Sequence, residues 1–139
     1  MKPIGILLVS TGHLAKALET LAGGLFEKPP FLKAVTLKAN DHWEVALARV
    51  KKVAEALDQG RGVLVLADIP GGTPFNVAQS LRAERTIEVI GGMNAPMVVK
   101  AVQVCMEMEL TELAAYLERY GRDHINRGEP RRMGERCGN

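Results

Sequence analysis

Four short apolar runs, each followed by a longer amphipathic stretch, constrain this chain more than any other feature. Ile4–Val9 (IGILLV) is almost unbroken, Gly62–Asp68 (GVLVLAD) is the most strand-like segment, and Phe31–Lys38 and Thr86–Ile90 complete the set. Runs of this length without polar alternation read as buried strands, and amphipathic segments between them read as crossover helices. The expected fold is therefore α/β: a doubly wound, mostly parallel four-stranded sheet of order 2-1-3-4 with helices on both faces.

Local signals place the helices. Leu14, Leu18, Leu21 and Leu25 mark one face of a first helix. Asp41 with Glu44 three residues on forms a capping box for a second, whose core face is Trp43, Leu47, Val50, Val53, Ala54 and Leu57. Thr73 is the expected N-cap of a third, with Pro74 at its first position, where a missing N–H costs nothing. Asn94 caps a helix over Ala95–Met106, and Thr111–Ile125 forms the last, with Leu113, Leu117 and Tyr120 inward.

At 139 residues with 47% apolar content, the chain is expected to fold as one domain over residues 1–125, followed by a basic, flexible tail over 126–139. Eighteen basic against sixteen acidic residues give a formal +2, so no overall field selects nucleic acid or an anionic membrane. Aromatics at 4% are too sparse for a base-stacking surface, and four tail arginines are too few to hold a duplex. Cys105 and Cys137 form no CxxC and no zinc-ligand spacing, so neither a metal nor another cofactor is expected. The apolar run behind Met1-Lys2 stops at Ser10, short of the roughly 7–15-residue core of a signal peptide, and no window reaches the length of a membrane span. A cytoplasmic protein with reduced thiols is the expectation.

In an open parallel sheet, ligands sit outside the carboxyl ends of the strands where strand order reverses. Three loops leave that end: Ser10-Thr11-Gly12-His13 after the first strand, Asp68 to Asn76 after the third, and Gly91 to Pro96 after the fourth. With the first and third strands adjacent, His13 and Asp68 share one crevice beside helix N-termini, which favour a phosphoryl group. Read alone, His13 is equally a helix-start residue without a role, Asp68 a turn cap, and the Gly-Gly pairs mere positive-φ turns. No Gly-Lys-Ser/Thr and no GxGxxG follows a strand, so nucleotide binding has little support. His42, His124 and the methionines read as surface or packing residues.

The residues also carry a resemblance. Ile-Gly-Ile-Leu-Leu-Val-Ser-x-Gly-x-Leu-Ala-x-Ala-Leu from Ile4, Gly-Val-Leu-Val-Leu-Ala-Asp-x-x-Gly-Gly-Thr-Pro-Phe-Asn from Gly62 and Glu-Val-Ile-Gly-Gly-Met-Asn-Ala-Pro-Met from Glu88 resemble the enzyme IIA domain of the mannose/fructose branch of the bacterial sugar phosphotransferase system. The phosphotransfer subunit of bacterial dihydroxyacetone kinase is similar. The resemblance implies a homodimeric phosphoryl carrier that accepts phosphate on a histidine from HPr and passes it to a IIB domain, meeting the membrane only through a IIC/IID permease. It implies Asp68 as the orienting carboxylate, with Thr11, Gly12, Gly72 and Thr73 around the phosphate. The family reads Ser-His-Gly, however, where this chain reads Ser10-Thr11-Gly12-His13, so Thr11 stands in the histidine's place. Either His13, two residues on, is the carrier, or the domain is a non-catalytic binding or regulatory module.

Overall fold

Strands β1 (Gly5–Thr11), β2 (Leu32–Leu37), β3 (Val63–Ala67) and β4 (Ile87–Gly91) lie side by side in the order β2-β1-β3-β4, all pairs parallel. This computed structural model describes residues 1–130; residues 131–139 of the expected tail, including Cys137, lie outside the described residues. Between and after the strands run helices α1 (Leu14–Phe26), α2 (Trp43–Leu57), α3 (Thr73–Ser80, extended by a 3-10 turn Leu81–Ala83), α4 (Ala95–Val104) and α5 (Leu110–Asp123). No helix among the described residues is long and apolar enough to cross a membrane.

The near-continuous apolar strands are explained by two cores. Ile6, Leu8, Leu64 and Leu66 pack under α1, α4 and α5 with Leu18, Val98, Leu113 and Leu117. Their neighbours Leu7, Val9, Val63 and Val65 point the other way and pack under α2 and α3 with Val50, Val77 and Leu81. Because successive strand side chains alternate faces, a sheet covered twice needs apolar residues at every position. The expected doubly wound sheet is thus the observed one.

Several expected details are corrected. On α1 the buried residues are Ala15, Leu18 and Ala22, whereas Leu14, Leu21 and Leu25 are exposed. On α2, Ala46, Val50, Ala54 and Leu57 are buried and Trp43 is 42% exposed. Asp41 does not cap α2: its Oδ2 accepts from the Lys38 amide at 2.8 Å, closing the preceding turn, and His42 holds the cap position. The α3 cap is Gly72, so Thr73 is the first helical residue, although Pro74 does fall in the first turn. Asn94 caps α4 as expected, its Oδ1 accepting from the Met97 amide at 3.0 Å. Tyr120 is half-buried, stacked between Tyr116 and His124 along α5.

Two side chains finish the sheet. The Ala34 amide of edge strand β2 donates to Glu19 Oε2 of α1 at 2.8 Å. At the opposite, amino end of the sheet, the Arg61 guanidinium donates to the carbonyls of Lys2 at 2.8 Å, Met106 at 3.4 Å and Met108 at 2.7 Å. It ties the first residues to the α4–α5 connection, and at 14% side-chain exposure it is largely withdrawn from water. Removing a charged donor strands such carbonyls, at roughly 1–3 kcal/mol per buried unsatisfied group. Arg61→Ala is therefore expected to lower unfolding free energy by about 2 kcal/mol in a urea titration; an unchanged midpoint would show that water replaces the guanidinium.

Cys105 is buried, and that burial pushes its thiol up to about 11 from the model-compound value of 9.0. A thiol raised in the folded state stabilises the fold fully below pH 9 and loses that contribution as pH rises toward 11. At pH 8 its thiolate fraction falls about a hundred-fold relative to a free thiol. In a Cys137→Ser background, iodoacetamide is expected to label Cys105 slowly in buffer and rapidly in urea; equal rates would contradict the burial.

Candidate functional site

From β1 the chain crosses to β2, and from β3 it crosses the other way to β4, so strand order reverses between β1 and β3. The carboxyl ends of those two strands open the crevice that such a reversal creates. Ser10 and Thr11 end β1, Gly12 turns the chain at φ +71°, and His13 occupies the N-cap position of α1. The positive φ suits a residue without Cβ, and a Cβ at Gly12 would meet nothing within 4 Å, so backbone shape and not space asks for glycine there.

Asp68 follows β3 directly. One carboxylate oxygen, Oδ2, accepts from the Thr11 amide at 3.1 Å and the other from the Ile69 amide at 2.8 Å. Its carbonyl accepts from the Gly92 amide at 3.1 Å, which joins the β4 loop to the same point. Asp68 thus binds three loops through backbone groups. His13 is exposed, its imidazole makes no capping bond, and no hydrogen bond joins it to Asp68 among the described residues. Thr11, Gly12 and Thr73 are exposed around the crevice and Gly72 is half-buried.

The electrostatics of the rim are selective. Helices α1, α3 and α4 open at this end and none has an acidic residue in its first turn. By contrast α2, at the sheet edge, carries Glu44 there, and α5, which starts at the far end, carries Glu112. First-turn carboxylates compensate the partial positive charge of an N-terminus, so their absence from α1, α3 and α4 leaves that charge available to an anion. Large apolar side chains are exposed on the elements that leave this end of the sheet: Leu14 opens α1, Trp43 and Val45 open α2, and Ile69 stands in the β3–α3 loop, all at least 42% exposed. No group of three or more His, Cys, Asp or Glu among the described residues is placed to hold a metal ion.

One participant escaped sequence reasoning. Ser10 is fully buried, and its Oγ accepts from the Ala15 amide at 2.8 Å. A serine four residues before a helix is easily passed over, because caps are sought at the residue adjoining the first turn.

Residues 5–118 match the family described as the PTS system fructose IIA component. The chain belongs to that family. Among its relatives, the mannose-specific EIIAB component of Escherichia coli strain K12 is 27% identical over 124 residues, which is 88% of this chain but 38% of that relative. The chain thus spans less than two fifths of that two-part protein. It covers more of the fructose-specific EIIA component of Bacillus subtilis strain 168, at 25% identity over 79% of this chain and 76% of the relative. The structure of a mannose/sorbose-specific IIA subunit from Enterococcus faecalis superposes with a TM-score of 0.83 at 27% identity, covering 96% of this chain and 99% of that one. The chain folds as that solved subunit folds.

Proposed function

We propose that this IIA component is a phosphoryl carrier in which His13 accepts phosphate from HPr and donates it to a IIB domain. One observation carries the reading: His13 stands exposed at the opening of α1, without a hydrogen-bond partner among the described residues, on a rim whose three helix N-termini lack acidic side chains in their first turns. An imidazole nitrogen attacks phosphorus, the N–P bond to the HPr histidine breaks, and the phosphoryl group is held by loop amides with Gly12, Gly72 and Thr73. The reverse attack by a IIB nucleophile discharges it. Thr11 cannot relay phosphate in this way, because a phosphothreonine ester lacks the transfer potential of an N–P bond. The exposed Leu14 and Ile69 beside the strand ends supply apolar docking area for both protein partners, and the permease subunits in the membrane are reached only through IIB.

A specific observation favours a second reading, a non-catalytic module that binds a partner or small anion. Thr11 stands in the family histidine's place, and both Asp68 oxygens already hold backbone amides. Incubation with phosphoenolpyruvate, enzyme I and HPr separates the two. The carrier reading expects an intact-mass gain of one phosphoryl group, stable to base, lost in brief acid and lost on adding a cognate IIB domain. Absence of any gain supports the second reading.

The protein is also proposed to work as a cytoplasmic homodimer, supported by the exposed Leu21 and Leu25 of α1. Light scattering is expected to give about twice 15.1 kDa. A mass near 15 kDa at micromolar concentration would contradict this assembly.

A further inference from the structure

We infer that Ser10 is the positioning residue of the site, holding His13 through the backbone on either side of it; the inference rests on the carrier reading above. The segment from Thr11 to Ala15 is fixed at three backbone atoms by two side chains. Asp68 Oδ2 accepts from the Thr11 amide at 3.1 Å, Ser10 Oγ accepts from the Ala15 amide at 2.8 Å, and the same hydroxyl donates to the Gly12 carbonyl at 3.5 Å. His13 lies between the second and third of these anchors. Its own side chain makes no cap hydrogen bond.

Ser10 is the sole buried polar or charged residue among the described residues, with no exposure, and no buried side-chain polar atom there lacks a partner. Strand alternation explains its direction. Ile6 and Leu8 point into the α1 side of the sheet, and Ser10 continues that series toward the opening of α1. A helix opening normally takes its cap from the residue before the first turn, but His13 provides none, and the Ala15 amide is satisfied from the strand instead. One hydroxyl therefore sets both the docking of α1 on β1 and the path of the backbone through His13. Since transfer between two proteins requires the attacking nitrogen in line with the incoming phosphorus, a displacement of about 1 Å in that backbone is enough to cost one to two orders of magnitude in rate.

The test compares Ser10→Ala, Ser10→Cys and Ser10→Thr with the native protein in two readouts: the initial rate of phosphoryl uptake from HPr, and the NMR chemical shift of the His13 ring protons. Ser10→Thr keeps an Oγ, and Ser10→Cys keeps the volume but is a weak acceptor that remains testable should the alanine variant fail to fold. The expected result is uptake about ten-fold slower in Ser10→Cys and in Ser10→Ala, recovery to within about three-fold in Ser10→Thr, and displaced His13 resonances only in the two slow variants. Native uptake by folded Ser10→Cys, or loss in folded Ser10→Thr equal to that in Ser10→Ala, overturns the role of the hydroxyl. If the native protein takes up no phosphoryl group, the carrier reading fails by itself. The ring shifts then decide on Ser10 alone, and unmoved His13 resonances in Ser10→Cys refute positioning.

Discussion

His13→Ala is expected to abolish the acid-labile phosphoryl gain, Thr11→Ala to leave most of it, and Asp68→Ala to slow it by about 10²-fold, the scale on which misplaced reacting groups lose rate. The middle result discriminates best. Asp68 grips Thr11 by its backbone amide and not by its hydroxyl, so truncating the side chain leaves the clamp in place. Losing the carboxylate releases the Thr11 and Ile69 amides together and loosens both walls of the crevice. Intact-mass kinetics with enzyme I and HPr measure all three. Should Thr11→Ala remove the gain while His13→Ala keeps it, His13 would not be the carrier. The reciprocal variant, Thr11→His, is expected to create or strengthen phosphorylation if the native site is silent, because it restores a histidine where the family has one.

A second large effect is expected at the far end of the sheet. Gly62 has φ +81°, and a Cβ there would lie 2.7 Å from the Thr86 carbonyl oxygen and 2.8 Å from Leu110 Cδ2. The carbonyl cannot retreat, since it accepts from the Val63 amide at 3.1 Å, nor can residue 62, whose own carbonyl accepts from the Gly5 amide at 3.2 Å. Gly62→Ala therefore combines a disfavoured backbone conformation with a clash between main chains. A loss of more than about 3 kcal/mol is expected in urea unfolding. A loss under about 1 kcal/mol would mean that β3 and β4 can shift where the sheet begins.

The strands were legible in the sequence because a doubly covered sheet leaves no polar alternation to confuse the pattern. The α1 face was not. Leu18 belongs to two stripes at helical spacing, one with Leu14, Leu21 and Leu25 and one with Ala15 and Ala22, and hydropathy prefers the leucines. Packing prefers the alanines, because small residues let the helix lie close to β1 and β2, and the leucines are left on the outside. Asp41 illustrates a related ambiguity, since one carboxylate can serve the turn before it or the helix after it and sequence spacing suits both. At the crevice, the sequence pattern places Asp68 directly after β3, beside the loop that ends β1. What it could not convey is that both Asp68 and Ser10 act on main-chain atoms, a relation that depends on register and not on residue type.

The Glu19 contact to the β2 amide bears on how this molecule behaves when crowded. A sheet margin is a template, and its outward amides are what a foreign strand would use to extend the ladder. At Ala34 that amide is taken by Glu19, and at Lys38, just beyond the strand and two positions past Thr36, another is taken by Asp41. An intruding backbone would have to evict two carboxylates and leave them facing its own carbonyl oxygens. The margin is guarded at these two points by side chains that take no part in the crevice, so the polar centre at the carboxyl end and the protection of the β2 edge are kept by separate residues.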